Sequence, residues 1–386
     1  INNFLAFVKK VHTSRVQKKE NILMRYLVRE LFVYFFISFL FFFLVFFVNQ
    51  ILLVMQDILS KRVPFGKVML LMTYSLPFII AQSAPFGTLV GFLMCIGRLM
   101  SDNEILILRA TGTSFFKLSV PVLALGIVIS IFSFFVNDYL LPVGTLKYNE
   151  LTRQIVFSNP AVEIESNSIK RMKDSTLILG DVEGTNVSDL VLFDNSGNKQ
   201  RFIVAKNSNV KKSQTPGIIM SLEMQDPLVL ILDKLGDDDF ESVDAENLTL
   251  NVFEDAILST SSKASPREMT SYDLAKKIKG MKEDKSISKK QRNNYKLEFN
   301  KKFSIPFGSI FFAILAFPLA LIFGRKDGQT LGLIFGIIIS VLYWASTILG
   351  QMFGLRGGYN GFWMMWTPNL LIGFIGIILY LRLKRK

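Results

Sequence analysis

Six long apolar runs, three before and three after a polar insert, constrain this chain more than any other feature. They cover residues 31–55, 68–96, 118–141, 303–323, 331–353 and 362–381. A helix needs about 20 apolar residues to cross a hydrocarbon core of about 30 Å, and each run is that long. One such run reads equally well as a buried core helix. Six of them in 386 residues do not. The expected fold class is therefore membrane α-helical, with six transmembrane helices grouped 3+3 around an insert.

No run carries Asp, Glu, Lys, Arg or His at mid-membrane depth; Asn49, Asp57 and Asp138 lie toward helix ends. Transporters that relay protons or ions keep ionisable groups inside their spans. Their absence argues against a proton-driven pump or a voltage sensor. An apolar interior suits a cargo that is itself largely apolar, such as a lipid.

The formal net charge is +13, spread over the flanks of the runs, and the 36 Phe residues lie mostly within them. A nucleic-acid reader would gather such charge on a soluble face with interleaved aromatics, so no nucleic-acid partner is expected. Cys95 is the single cysteine and His12 the single histidine. An internal disulfide, Cys/His zinc sites and the HExxH protease motif are therefore closed off, and no metal, catalytic residue or cofactor is expected. No GxxxxGK[ST] loop occurs, and Gly324-Arg325-Lys326-Asp327-Gly328 is not one. If ATP drives this chain, another chain hydrolyses it.

Short basic loops stay in the cytoplasm. Arg25 and Arg29, then Arg98, Arg109 and Lys117, then Arg325 and Lys326, and finally Arg382 to Lys386 share one side if both termini are cytoplasmic. Lys61, Arg62 and Lys67, and Lys296, Lys301 and Lys302, then fall outside. The first run is too long for a signal-peptide core and no small-residue cleavage site follows it, so it is expected to remain as an anchor. The chain opens on Ile1, and the first twenty or so residues are expected to be an upstream extension or an unusual start. The resulting layout has a basic segment at 1–25 and spans one to three at 26–142, with a short cytoplasmic helix near 101–111. An external β-domain follows at 143–265, a helical linker at 266–300 and spans four to six at 301–386.

Within the insert, residues 176–179, 190–193, 202–205, 218–224 and 228–232 read as strands. Turn chemistry separates them at 183–186, 195–198 and 215–217, which suggests an all-β sandwich or jelly roll. Residues 259–265 read as a linker. Thr270 and Asp273 resemble a capping box opening a helix through about Met281.

The most distinctive short segment is Arg98-Leu99-Met100-Ser101-Asp102-Asn103-Glu104, continuing to Arg109-Ala110-Thr111-Gly112. Ser101 and Glu104 have capping-box spacing and Gly112 offers a stop. The spacing alone fits either a well-capped connector or a helix that docks onto a cytoplasmic motor.

This segment resembles the gRL-s-x-E-l-x-x-x-r-A-x-G pattern of the lipopolysaccharide export permease family, LptF/LptG. Met24-Arg25-Tyr26-Leu27-Val28-Arg29-Glu30 is similar to that family's entry into its first span, and Pro77 and Pro85-Phe86 to its second. Ile305-Pro306 and Phe317-Pro318-Leu319 are similar to its fourth span, and Trp366-Thr367-Pro368-Asn369-Leu370 to its sixth. The Arg25 to Glu30 entry, the lack of Lys inside run one and Asn159-Pro160 look more F-like than G-like.

The resemblance implies an inner-membrane permease subunit with both termini cytoplasmic and a periplasmic jelly roll. It implies a heterodimer with a second six-span, LptG-like subunit on a dimeric, LptB-like cytoplasmic ABC ATPase. A single-span LptC-like partner and an LptA-like periplasmic bridge would receive the cargo, lipopolysaccharide or a related glycolipid, from the outer leaflet. Ser101, Asp102, Glu104, Leu108 and Arg109 would then couple to the ATPase. Phe35, Phe39, Phe43, Phe47, Phe335 and Tyr343 would line the lipid cavity and its gate. Lys61, Arg62, Lys67, Lys301, Lys302 and Arg356 could meet lipid phosphates at the outer interface, although snorkelling to ordinary headgroups explains such residues as well. A non-transporting membrane scaffold for the β-domain is the rival reading.

Overall fold

The structure, a computed structural model, describes the chain apart from residues 1, 59–62, 159–165, 172–174, 196–198, 213–217, 234–239, 254–264, 284–287 and 386. Helices α1 (Asn2–Ile58), α2 (Phe65–Ser101), α3 (Glu104–Ala110), α4 (Phe115–Phe135) and α5 (Leu141–Ser158) precede the strands. Helices α6 (Ser271–Glu283), α7 (Lys289–Phe323), α8 (Gly328–Arg356) and α9 (Gly361–Arg385) follow them. Among the described residues, six stretches are long and apolar enough to cross a membrane: Ile22–Met55, Phe65–Ser101, Phe115–Ile155, Lys289–Phe323, Gly328–Arg356 and Gly361–Arg385.

The third span outruns its apolar sequence. A π-helical turn, Val136–Leu140, joins α4 to α5 where Pro142 withdraws a donor from the helical ladder. The helix then continues to Ser158, with Leu151 and Ile155 buried four residues apart. Among the described residues the first strand starts at Ser168, and 143–158 are helical where the β-domain was expected to begin.

The chain divides into two compact units: 1–51 with 74–145 and 266–386, and 52–73 with 146–265. In the first unit the second and fourth spans are mostly buried, whereas the first, fifth and sixth are mostly exposed. Small residues set this arrangement. A Cβ on Gly87 would lie 2.8 Å from the Phe39 Cα, and one on Gly91 2.6 Å from the Phe35 Cα. This Gly-x-x-x-Gly face of α2 therefore carries the α1 backbone directly. On α8, Gly328, Gly332, Gly336 and Ser340 form a buried stripe four residues apart. Gly328 meets Gly97, and Cβ atoms on Gly332 and Gly336 would come within 2.6 and 2.8 Å of Leu93 and Val90. The other face of α8 leaves Ile334, Ile338, Val341, Leu342 and Trp344 exposed.

Proline interrupts the buried spans, and neighbouring side chains take up the carbonyls it leaves. Pro85 cannot donate to Ala81, whose oxygen instead accepts from Ser133 Oγ at 3.4 Å. Pro306 likewise frees the Lys302 oxygen, which accepts from Asn137 Nδ2 at 2.9 Å. At the centre Phe86, Phe312 and Tyr343 pack edge to face, with centroids 5.9 and 4.8 Å from the tyrosine ring.

The second unit holds strands β1 (Ser168–Arg171), β2 (Ser175–Leu179), β3 (Val182–Glu183), β4 (Asn186–Asp194), β5 (Lys199–Lys212), β6 (Ile218–Gln225), β7 (Leu228–Asp233), β8 (Phe240–Asp244) and β9 (Asn247–Phe253). Among the described residues every pairing is antiparallel, in the order β1-β2-β4-β5-β6-β9. The long β5 is shared: its first half pairs with β7 and its second half with β6. Leu177 with Leu179, Leu190 with Leu192, Ile203 with Ala205 and Leu222 with Met224 alternate inward with period two and form its core. Gly184, at φ 65°, opens the two-residue turn between Glu183 and Asn186. The expected turns at 195–198 and 215–217 lie wholly or largely outside the described residues, as does the linker at 259–265 apart from Ser265.

Helix α6 starts as its sequence suggests. The Asp273 N–H donates to Thr270 Oγ1 at 3.2 Å, and that hydroxyl donates to the Asp273 carboxylate at 2.7 Å.

Candidate functional site

The corner between α2 and α3 holds charged residues of both signs. Helix α2 runs on to Ser101, and the chain reverses at Asn103, a left-handed residue with φ 61°, before α3 begins at Glu104. Glu104 therefore occupies the first helical position, one residue after the turn, and the expected Ser101–Glu104 capping box does not form. The Ser101 hydroxyl instead donates to the Gly324 oxygen at 2.9 Å and accepts from the Gly328 N–H at 2.8 Å. It stitches the end of α2 to the turn between α7 and α8.

Glu104 turns toward α1. Tyr26 Oη donates to its carboxylate, 3.0 Å from Oε2 and 3.3 Å from Oε1. One helical turn further along α1, Glu30 pairs with Arg98 at 2.7 Å, and Arg98 also lies 3.9 Å from Asp102 and 5.6 Å from the centre of the Tyr34 ring. Helix α1 is thus tied to this corner by two polar contacts four residues apart, on one face. The Arg109 guanidinium covers the Phe115 ring at 3.7 Å, a cation–π contact. Ile105 is buried and Leu108 packs against the core, while Asp102, Leu106, Ile107 and Arg109 are exposed. Four of the five coupling residues named from sequence lie on α3 or the turn before it, and Ser101 faces elsewhere. Tyr26 and Glu30 join this corner without having been expected there. Their spacing marks a shared face, but nothing in it names the partner.

Along α1 the rings of Phe35, Phe39, Phe43 and Phe47 form a ladder, with successive centroids 5.8, 6.1 and 5.9 Å apart. All four are half-buried. Phe335 of α8 is also half-buried, 4.9 Å from Phe323. Tyr343 is separated from this group: it is buried beside Phe86 and Phe312, and its hydroxyl donates to Asn369 Oδ1 at 2.9 Å. That position places it inside the subunit's own core and not on a cavity wall.

Of the six expected phosphate contacts, four lie among the described residues. Lys61 and Arg62 lie outside the described residues. Lys67 is half-buried in the second compact unit, and Arg356 is exposed in the last turn of α8. Lys301 reaches Gln351 at 3.5 Å and Glu298 at 3.6 Å. Lys302 corrects its expected role outright. It is 3% exposed, lies 3.6 Å from Asp138, and donates to the Asn137 oxygen at 3.3 Å. Asp138 in turn accepts from the Ser271 N–H at 2.7 Å and its hydroxyl at 2.9 Å, at the start of α6. Burying an ammonium requires such partners, and they leave no face for a headgroup.

Among the described residues no group of three or more His, Cys, Asp or Glu side chains could hold a metal ion. The family model for the lipopolysaccharide export system permease LptF/LptG matches residues 25–382. The comparison with curated proteins returns no match.

Proposed function

This chain belongs to the lipopolysaccharide export permease family LptF/LptG, and from that premise we propose that it is the F-type half of a two-subunit permease driven by a separate dimeric ABC ATPase. The family is the permease component of the lipopolysaccharide export system, and this member is a multi-pass protein of the inner membrane. In our reading both termini are cytoplasmic, the β-domain is periplasmic, and the partners are a G-type subunit, a single-span accessory protein and a periplasmic bridge. The cargo is lipopolysaccharide or a related glycolipid.

The observation that carries the reading is the Tyr26–Glu104 contact, which joins a short exposed helix to the first span. A motor pressing on α3 would move α1 with it. The phenylalanine ladder of α1 and the exposed face of α8 then serve as the two movable walls of an apolar vestibule. An acyl chain gains little on passing from bilayer to vestibule, since both are apolar. Releasing it into water costs about 0.8 kcal/mol per CH₂, or roughly 10 kcal/mol for a chain of about twelve carbons. An external motor and a sheltered periplasmic route answer that cost.

Affinity purification from native membranes, with copurifying proteins and lipid identified by mass spectrometry, tests the proposal. An ABC ATPase and a second six-span chain in the wild-type sample, with the ATPase lost from Glu104→Ala, support it. Recovery of the chain alone favours a membrane scaffold.

A further inference from the structure

The first two turns of α7 and the loop between α8 and α9 enclose an open pocket of about 580 Å³, lined by Lys289, Arg292, Asn293, Lys296, Gly358 and Asn360. Its three cations sit at i, i+3 and i+7, on one face of the helix. Like charges so placed repel, and no carboxylate is among the described lining residues. Neither Lys289 nor Lys296 has a carboxylate partner among the described residues. The pocket wall is fixed by other means. Asn293 Nδ2 donates to the Gly354 and Tyr359 oxygens, both at 2.7 Å, which pins the loop to α7. Gly358 turns the loop with φ 66°, and a Cβ on Gly361 would lie 2.9 Å from the Leu297 Cα, so α9 starts against α7.

The loop joins two membrane spans, which places the pocket at a membrane–water interface. Tyr359, Phe362 and Trp363 are exposed beside it, and Trp366 stacks on Phe362 at 5.9 Å. Aromatic residues gather at headgroup depth. We propose that this pocket binds the phosphate of an anionic lipid headgroup, with Lys289, Arg292 and Lys296 as its cationic contacts and the aromatic rim beside the acyl region. The site uses neither the ladder of α1 nor the exposed face of α8, so it does not depend on the vestibule.

Native mass spectrometry of the full chain in detergent, titrated with phosphatidylglycerol or phosphatidylcholine, tests this. The expected result is a phosphatidylglycerol adduct favoured over phosphatidylcholine. It weakens roughly tenfold or more in Lys289→Gln/Lys296→Gln and is regained in Lys289→Arg/Lys296→Arg. These positions are polar and outside the core, so the glutamine variant should fold. Equal binding of the two lipids, or unchanged affinity in the glutamine variant, would overturn the proposal. A third arm adds inorganic phosphate. Failure of millimolar phosphate to displace the lipid supports a headgroup site, and displacement at equal concentration would assign the pocket to free phosphate instead.

Discussion

Tyr26 and Glu104, on different helices and far apart in sequence, share a hydrogen bond of 3.0 Å. It makes the orientation of Glu104 depend on α1. Replacing Tyr26 with Phe keeps the ring and deletes only the donor. The contact is partly exposed, so its loss should cost about 0.5–1 kcal/mol, equivalent to a two- to fivefold weaker capture of the ATPase if Glu104 contacts it. Copurification of the ATPase at graded salt, compared between wild type and Tyr26→Phe, measures this. Equal recovery at every salt concentration would show that the tyrosine does not position Glu104.

Ser101 is expected to matter for stability more than for coupling. Its hydroxyl satisfies both the Gly324 oxygen and the Gly328 N–H. Ser101→Ala leaves both groups without that partner and should cost about 1–3 kcal/mol. The readout is the thermal unfolding midpoint in detergent, with ATPase copurification scaled to the folded fraction. A normal midpoint with lost ATPase would return Ser101 to the coupling surface.

Why one part of this chain was legible and another was not follows from the range of the interactions. Span placement depends on local apolar content, which the sequence displays without ambiguity. Strand positions in the β-domain follow from period-two patterning, which Leu190, Leu192, Ile203 and Ala205 carry in full. The motif from Arg98 to Gly112 located α3 but misassigned its cap, because the helix before it had enough apolar support to run through Ser101. The Asp138–Lys302 pair was hidden for a different reason. Each residue sits at the end of an apolar run, where a solvated charge is the ordinary outcome. Only the π-helical turn and the packing of α6 bring them together in the interior.

That pair offers a double-mutant test. Both residues are at most 6% exposed, so removing one partner strands a buried charge, at about 3–5 kcal/mol. Lys302→Met and Asp138→Asn should each lower the unfolding midpoint, and the double variant should regain much of the loss. Additive losses would mean that Asp138 is held by Ser271 alone and that the lysine acts independently.

The helix contacts make a prediction in which the same chemical change has opposite signs. Gly332 sits where α8 touches α2, and an added methyl would meet the Leu93 oxygen at 2.6 Å. Backbone cannot yield as a flexible side chain can, so Gly332→Ala must separate the two helices or strain them, at about 1–3 kcal/mol. Gly280 lies inside α6 with nothing within 4 Å of the position a Cβ would take. There the alanine only narrows the unfolded ensemble and should stabilise by about 0.5–1 kcal/mol. Unfolding midpoints of both variants decide the matter. A Gly332→Ala protein as stable as wild type would show that α8 does not rest on α2 through its glycine stripe, and the vestibule wall assigned to its opposite face would lose its footing.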